Sequence, residues 1–378
     1  MKQSSARAIG STVPRFEDIS ENNIQGITFS ITAEGDNMQI SNTKVFAVKI
    51  ITIALLLSAA NVLHADDTSS TSDKPVVEQL VDSLTKLAHG PYKGYRANHA
   101  KGIMVSGTFT PAASAASLSK APHLQKASSP VLVRFSDSTG VPTIPDASAD
   151  ASPHGIAIRF QLADGAFTDI VSISINGFPA ATPEEFLEFL NAVAASGPDA
   201  PKPSPVEKFL ATHPAAKKFV TTPAPPPVSF ATLAFYGVNA FSFTNASGKI
   251  RYGRYRITPL AGVHALTKEQ AAKAAPDYLM EELPARLKKG PAKFRISVQL
   301  AEKNDVIDDG TAIWPDNRPR VVLGILTLKK VLPDSQQVEK TLMFSPLNLT
   351  DGIGASADPI LLARPPAYAI SFARRSGN

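Results

Sequence analysis

The chain has 378 residues, of which 43% are hydrophobic and 19% charged, and this composition is typical of a globular protein with a large core rather than of a disordered one. The formal net charge is +5, but Lys and Arg are interspersed with Asp and Glu without a long basic run, which argues against nucleic-acid binding. The absence of cysteine excludes disulfides, a thiol nucleophile and a thiolate ligand for a metal.

Residues 43–65 have the pattern of a secretory signal peptide. Lys44 and Lys49 precede an apolar run over residues 50–57, small residues follow, and the chain then becomes acidic and rich in Ser and Thr. The apolar run is short for a membrane span. We predict cleavage after Ala65, with cleavage after Ala60 and an uncleaved anchor as the alternatives.

The segment before this signal is polar and unpatterned, and Met38 is a better start for a signal peptide than Met1. We therefore predict that residues 1–37 are a non-native or wrongly assigned extension, that 38–65 are the signal peptide and that 66–378 form one domain. The mature protein is expected to be periplasmic, with no stable membrane span after cleavage.

The mature chain begins with a predicted helix over residues 76–88, after Pro75, and a second helix is predicted from the capping residue Thr182 onward. The proline-rich stretch 197–227 is predicted to wrap over the surface, and residues 268–289 to form helical segments interrupted by Pro276 and Pro284. Short β-branched and aromatic runs predict strands over residues 102–109, 131–135, 155–162, 170–175, 240–244, 249–258, 295–300, 321–328 and 338–344.

Strands in hairpin-like order with helices between groups predict an α+β fold, built on an antiparallel sheet or closed barrel. Three segments carry residues with chemical potential. Arg96 and His99 lie just before the first strand, Arg134 and Ser136 punctuate an apolar strand, and Arg364 and Tyr368 are one helical turn apart near Arg375. A loop histidine taken alone is usually structural, and a buried arginine needs an anionic partner.

These three segments, in this order, resemble the haem-contacting segments of the catalase family. They match the family's Arg-x-x-His-Ala-Lys-Gly, Val-Arg-Phe-Ser and Arg-x-x-x-Tyr patterns, and residues 309–315 resemble its Asp-x-Thr-x-x-Trp-Pro segment. The resemblance covers residues 90–375 and implies an antiparallel β-barrel catalase core with inserted and flanking helices.

The resemblance also implies a role for each matched residue and a haem b cofactor. His99 is the distal catalytic histidine, oriented by Ser136, and Tyr368 is the axial ligand of the haem iron. Arg364 is the cation that pairs with this tyrosine. The haem propionates are held by Arg96, Arg134 and Arg375, because guanidinium geometry suits carboxylates.

Departures from the family pattern bear on the activity. Ser174 stands where catalases have a distal asparagine, with Asn176 two residues on, and the chain ends three residues after Arg375. In these features the chain resembles the small catalase-related peroxidases. We therefore expect reduction of hydrogen peroxide or organic peroxides with a small organic electron donor, with weak catalase activity, by a monomer or homodimer that binds no nucleic acid.

Three alternatives remain open at this point. One is a non-enzymatic haem-binding barrel, similar to a lipocalin-like carrier, in which His99 has no catalytic role. Another is a catalase fold that has lost haem. The third is a lyase that acts on fatty-acid hydroperoxides.

Overall fold

The computed structural model describes residues 74–377, so the predictions for the extension and the signal peptide lie outside the described residues. Ten strands form one antiparallel sheet. The bounds are β1 Gly102–Pro111, β2 Ser129–Ser136, β3 Gly155–Gln161, β4 Phe167–Ile173, β5 Phe235–Tyr236, β6 Phe241–Thr244, β7 Ile250–Pro259, β8 Ala292–Leu300, β9 Arg320–Val331 and β10 Ile353–Ala355.

Eight of these strands close into a barrel. The order around the barrel is β7-β5-β4-β3-β2-β1-β9-β8, and pairing of β8 with β7 closes it, while β6 and β10 extend from one end of β7. Closure removes the exposed edges that an open sheet would present. Together with the helices inserted between strands, it confirms the predicted α+β fold with an antiparallel barrel.

The barrel interior is filled by side chains that alternate along each strand. The register places Val105, Val133 and Ile158 side by side on β1, β2 and β3, and all three are fully buried. The ring of Phe135 stacks on Phe230 at a centroid distance of 5.2 Å. A lipocalin-like carrier would need this interior for its ligand, so the packed core does not fit that alternative.

Helices cover the barrel and build a second, smaller core. Leu80, Phe189, Leu190, Phe209 and Leu210 pack together in this second core. Within residues 74–377, no helix combines the length and the apolar character that crossing a membrane requires. The bounds are α1 Val76–Leu87, α2 Ala115–Leu118, α3 Pro183–Ala194, α4 Pro205–Thr212, α5 Pro214–Thr221, α6 Lys268–Ala272, α7 Tyr278–Lys289, α8 Ser335–Thr341 and α9 Pro359–Ser376.

The structure adds the short strands β5 and β10, which were not predicted, and it adds to or departs from the predicted elements in three further places. Most of residues 338–344 belong to α8, not to a strand. The proline-rich stretch holds α4 and α5, each of which begins with proline at the position where a missing N–H costs no helical hydrogen bond. Pro276 precedes α7 as predicted, but Pro284 lies inside that helix.

His123 is a buried histidine in the aromatic part of the barrel core, and we expect it to make folding sensitive to acid. Its ring lies 4.7 Å from that of Phe160, and its Nδ1 has no partner among the described residues. Burial lowers the pKa of His123 to about 4. The unfolded chain therefore binds a proton that the folded one excludes, and the free energy of unfolding falls as pH drops from about 6.5 to about 4.

In the wild-type protein, His123 lowers the free energy of unfolding by up to about 3 kcal/mol between these two pH values. Urea unfolding at several pH values should show that the free energy of unfolding falls less in acid for His123→Phe than for the wild type. The matched control is His89→Asn, since His89 is exposed and has a φ of 53° that asparagine tolerates. An equal decrease in the free energy of unfolding in acid for the wild type and His123→Phe would contradict the role given to His123.

Candidate active site

His99 lies in the loop that leads into β1, with its backbone held in the left-handed region at φ 56°. Residues other than glycine rarely adopt this conformation, and it concentrates at functional sites. The Asn98 side chain helps to hold it by accepting a hydrogen bond from the His99 N–H at 3.0 Å. The histidine ring therefore has a fixed position at the edge of the barrel.

The hydrogen bonds of His99 define its tautomer. Nδ1 lies 2.9 Å from the carbonyl oxygen of Asp137 and 3.2 Å from Ser136 Oγ. A carbonyl only accepts, so Nδ1 carries the proton and Nε2 presents a lone pair. Burial, followed by the nearby Arg134 guanidinium, lowers the pKa of His99 to about 3. The ring is therefore a neutral base at physiological pH.

Two glycines make this arrangement possible by leaving room for side chains. A Cβ at Gly155 would lie 2.7 Å from Ser136 Oγ and 3.1 Å from His99 Nδ1. A Cβ at Gly102 would collide with the guanidinium of Arg134 and lie 2.6 Å from the carbonyl oxygen of Phe135. The shortest contact at each glycine is closer than packed atoms tolerate, so a side chain at either position would displace the residues of the site.

Three of the matched arginines converge on α8 and the residue that follows it. Arg134 Nε donates to Glu339 Oε2 at 2.6 Å, and Arg96 Nη1 lies 3.4 Å from the same oxygen. Arg96 and Arg375 both donate to the carbonyl oxygen of Leu342, each at 2.9 Å. The segment predicted as a strand thus supplies, as a helix, the anion that these cations face.

The charge in this cluster is not balanced by its protein contacts. Three guanidinium groups face one carboxylate, and Arg375 Nε is buried without a partner among residues 74–377. Burial, followed by the Arg134 and Arg375 charges, lowers the pKa of Arg96 well below its usual range. Buried cations in excess call for further anions, so the cluster fits a ligand that carries carboxylates.

Tyr368 and Arg364 lie one turn apart on α9, as their spacing predicted. Tyr368 Oη accepts hydrogen bonds from Arg364 Nε at 3.1 Å and from Nη2 at 2.8 Å. Two donors from one cation stabilise negative charge on the phenol oxygen. The pair therefore suits an oxygen that acts as an anionic ligand.

Asn239 and Asp358 hold Arg364 from behind and were missed in the sequence. Arg364 Nη1 donates to Asn239 Oδ1 at 2.8 Å, and Asn239 Nδ2 donates to Asp358 Oδ2 at 2.8 Å. Asp358 also caps α9 by accepting from the N–H groups of Ile360 and Leu361. The Asp-Pro start of a helix was a visible capping signal, whereas nothing in the sequence marks Asn239.

The structure brings the histidine loop and α9 together. The Ala97 N–H donates to Ser371 Oγ at 3.1 Å, which ties the loop to the turn of α9 that follows Tyr368. Arg96 and Arg375 meet at Leu342. All seven residues predicted for the site thus lie in segments that contact one another.

Ser174, the position of the departure from the family pattern, does not present a free side chain. Its Oγ accepts a hydrogen bond from the His154 N–H at 3.0 Å. Asn176, the other candidate for that position, is half-buried. No described contact therefore makes the Ser174 hydroxyl a substitute for an amide beside His99.

These residues fit the haem that the resemblance implies. The phenol oxygen of Tyr368 faces a cation, as an iron-bound phenolate requires, and the arginine cluster has unused donors and excess charge for two propionates. Helix α9 contributes to both parts, since it carries Tyr368 and Arg375.

Comparison with known proteins gives the same family. A family model described as catalase matches residues 77–378. The chain is 33% identical over 303 residues to a catalase-related peroxidase of Mycolicibacterium paratuberculosis, a match that covers 79% of this chain and 95% of that protein. A catalase-related peroxidase of Synechococcus elongatus is 32% identical over 305 residues, with 80% and 89% covered.

Solved catalase structures share the fold. A fungal catalase superimposes with a TM-score of 0.66 at 22% identity, covering 89% of this chain and 70% of that one. A bacterial catalase gives 0.66 at 24% identity, with 84% and 64% covered. The family model and the two peroxidase relatives show that this chain belongs to the catalase family of haem oxidoreductases.

Proposed function

We propose that this protein is a haem b-dependent peroxidase that reduces hydrogen peroxide or organic peroxides with electrons from a small organic donor. The observation that carries the proposal is the pairing of a neutral histidine base with an arginine-paired tyrosine in segments that contact each other. The proposal includes a periplasmic location, which follows from the signal-like segment in residues 38–65.

The chain's residues divide into those that bind haem and those that handle peroxide. Tyr368 would ligate the iron through its phenol oxygen, Arg364 would balance the charge of that oxygen, and Arg96, Arg134 and Arg375 would hold the propionates. Haem, when bound, would supply the redox chemistry that peroxide reduction needs. Asn239 and Asp358 keep Arg364 aimed at the phenol oxygen.

His99 moves the proton that cleavage of the peroxide needs. Its Nε2 lone pair takes a proton from one peroxide oxygen and returns it to the other, which leaves as water or as an alcohol. Ser136 and the Asp137 carbonyl keep the opposite nitrogen protonated throughout. Two electrons from the donor and two protons complete the reduction and convert the remaining peroxide oxygen to water.

Peroxidase activity is favoured over rapid disproportionation by Ser174, which stands at the position of the family's distal asparagine. The Ser174 hydroxyl is engaged with the His154 backbone and offers no amide to a second peroxide molecule. The two relatives described above are both named catalase-related peroxidases. Weak catalase activity remains compatible with the site, because disproportionation uses the same histidine.

The proposal is tested by an absorption spectrum of the purified protein after haem reconstitution, followed by peroxide addition with and without a phenolic donor. We expect a Soret band, and donor oxidation faster than oxygen evolution. Absence of the band would contradict the haem assignment. Oxygen evolution well above donor oxidation would contradict the peroxidase assignment alone, and a band without turnover would identify a non-enzymatic haem-binding protein.

A further inference from the structure

A buried polar cluster lies directly behind His99. Asp137 and Asp146 are fully buried, and His154 and Lys101 are 3% and 7% exposed. The cluster is joined to the site through the chain itself, because Lys101 is two residues after His99 and Asp137 follows Ser136. None of these four side chains has a role in the peroxide chemistry described above.

The buried carboxyl groups of Asp137 and Asp146 lie within hydrogen-bonding reach of each other. An ionised carboxylate only accepts, so this contact requires a proton between the two groups. One buried oxygen of each group, Asp137 Oδ2 and Asp146 Oδ1, has no hydrogen bond among the described residues. Asp146 Oδ1 does form an ion pair with Lys101. One shared proton satisfies both.

The charge around the pair also fits one proton. Lys101 Nζ forms ion pairs with Asp146 and with Asp277, whose side chain is 61% exposed. His154 Nδ1 lies 2.9 Å from Asp137 Oδ1, but burial lowers the pKa of His154 to about 4, so this ring adds no charge at neutral pH. Two ionised buried carboxylates would repel each other, and Lys101, which pairs with Asp146, is shared with Asp277.

Movement of Asp137 would reach His99 through the backbone. The Asp137 carbonyl oxygen is the acceptor that holds His99 Nδ1, at 2.9 Å. The N–H of Asp137 donates to the carbonyl oxygen of Lys101 at 3.1 Å. The residue that bears one carboxyl group of the pair therefore also fixes the tautomer and the position of the catalytic ring.

We propose that Asp137 and Asp146 share one proton and act together as a positioning pair for His99, so that loss of this proton at alkaline pH disturbs the histidine and slows its reaction with peroxide. The effect on peroxide rests on the proposed function, whereas proton sharing does not. Neither aspartate touches the peroxide, so both are positioning residues rather than catalytic ones.

The pKa shifts of the pair agree with this geometry. Burial, followed by contact with Asp137, raises the pKa of Asp146 to about 7, and burial raises that of Asp137 to about 6. Since the groups are coupled, the pair loses its shared proton as a unit. The charged and titratable groups that face the pair are Lys101, Arg134, His154, Asp277 and Tyr278.

Asp146→Asn is the decisive variant. Asparagine can still accept from the Leu279 N–H, which Asp146 Oδ2 binds at 2.7 Å, and its amide can donate to Asp137 without titrating. In the wild type, the rate constant for reaction with peroxide should fall about tenfold above about pH 7, as expected for a displaced catalytic group. In Asp146→Asn this alkaline fall should disappear.

The matched control is Asp277→Asn, which removes the exposed carboxylate on the same lysine and should leave the alkaline fall in place. Infrared spectra of the haem-free wild type should show the carbonyl stretch of a buried protonated carboxyl group at neutral pH, lost on alkaline titration and absent from Asp146→Asn. This measurement uses neither haem nor peroxide. If the variant does not fold, the spectrum of the wild type still tests whether a buried carboxyl group holds a proton at neutral pH.

A missing infrared band in the wild type, or an alkaline fall that persists in Asp146→Asn, would overturn the proposal. If the band and its titration are present but the protein has no peroxidase activity, proton sharing stands and the proposed function fails.

Discussion

Tyr368→Phe is expected to abolish stable haem binding and, with it, peroxidase activity. The substitution keeps the aromatic ring in α9 and removes only the oxygen that Arg364 pairs with at 2.8 and 3.1 Å. Loss of a partner that merely orients a metal ligand costs roughly 10–100-fold in affinity, and loss of the ligand itself should exceed that. The Nε and Nη2 donors of Arg364 would also lose their acceptor.

Haem titration followed at the Soret band measures this loss. The matched control is Tyr95→Phe, because Tyr95 is an exposed tyrosine outside the hydrogen bonds of the site, at 39% relative exposure. Wild-type haem affinity and an unchanged spectrum in Tyr368→Phe would show that another residue ligates the iron.

His99→Gln is expected to keep haem bound but to slow the first reaction with peroxide by about 10²–10⁴-fold. Glutamine can hydrogen-bond to the Asp137 carbonyl, yet it has no lone pair that takes a proton at neutral pH. Because the pKa of His99 is about 3, its protonation should depress the wild-type rate only in strong acid.

Stopped-flow absorbance against peroxide concentration separates this step from donor oxidation. His213→Gln is the control, since His213 stacks on Phe209 at 3.8 Å in the helical core and lies in none of the segments that form the site. A loss of less than about threefold in His99→Gln would place the general base elsewhere.

The barrel was predictable because its longer strands are β-branched and aromatic runs between clear turn signals, as β2 and β3 are. Two strands escaped because they are too short to show a period: β5 has two residues and β10 has three. α8 was misread because Val338, Leu342 and Phe344 form an apolar run typical of a strand. Its helical form depends on tertiary contacts, above all those of Glu339 with arginines over 200 residues earlier.

The site was predictable to the extent that its residues lie in ordered local motifs. His99 alone was one of seven histidines, and the accompanying segments distinguished it. The hydrogen bond between Asn239 and Asp358 joins residues 119 positions apart, and the ion pair of Lys101 with Asp146 joins residues on separate loops. Contacts of this kind leave no periodic trace in a single sequence.

Helix α9 gives the site a particular order of assembly. Arg96 and His99 come from the loop before β1 and Arg134 from β2, whereas Tyr368 and Arg375 come from α9, the last helix of the described residues. A nascent chain that has not yet reached α9 can therefore form the part of the site proposed to handle protons, but not the part proposed to hold the iron. Under the proposed function, haem capture must await synthesis of α9, and bound haem would then join the loop before β1 to this last described helix.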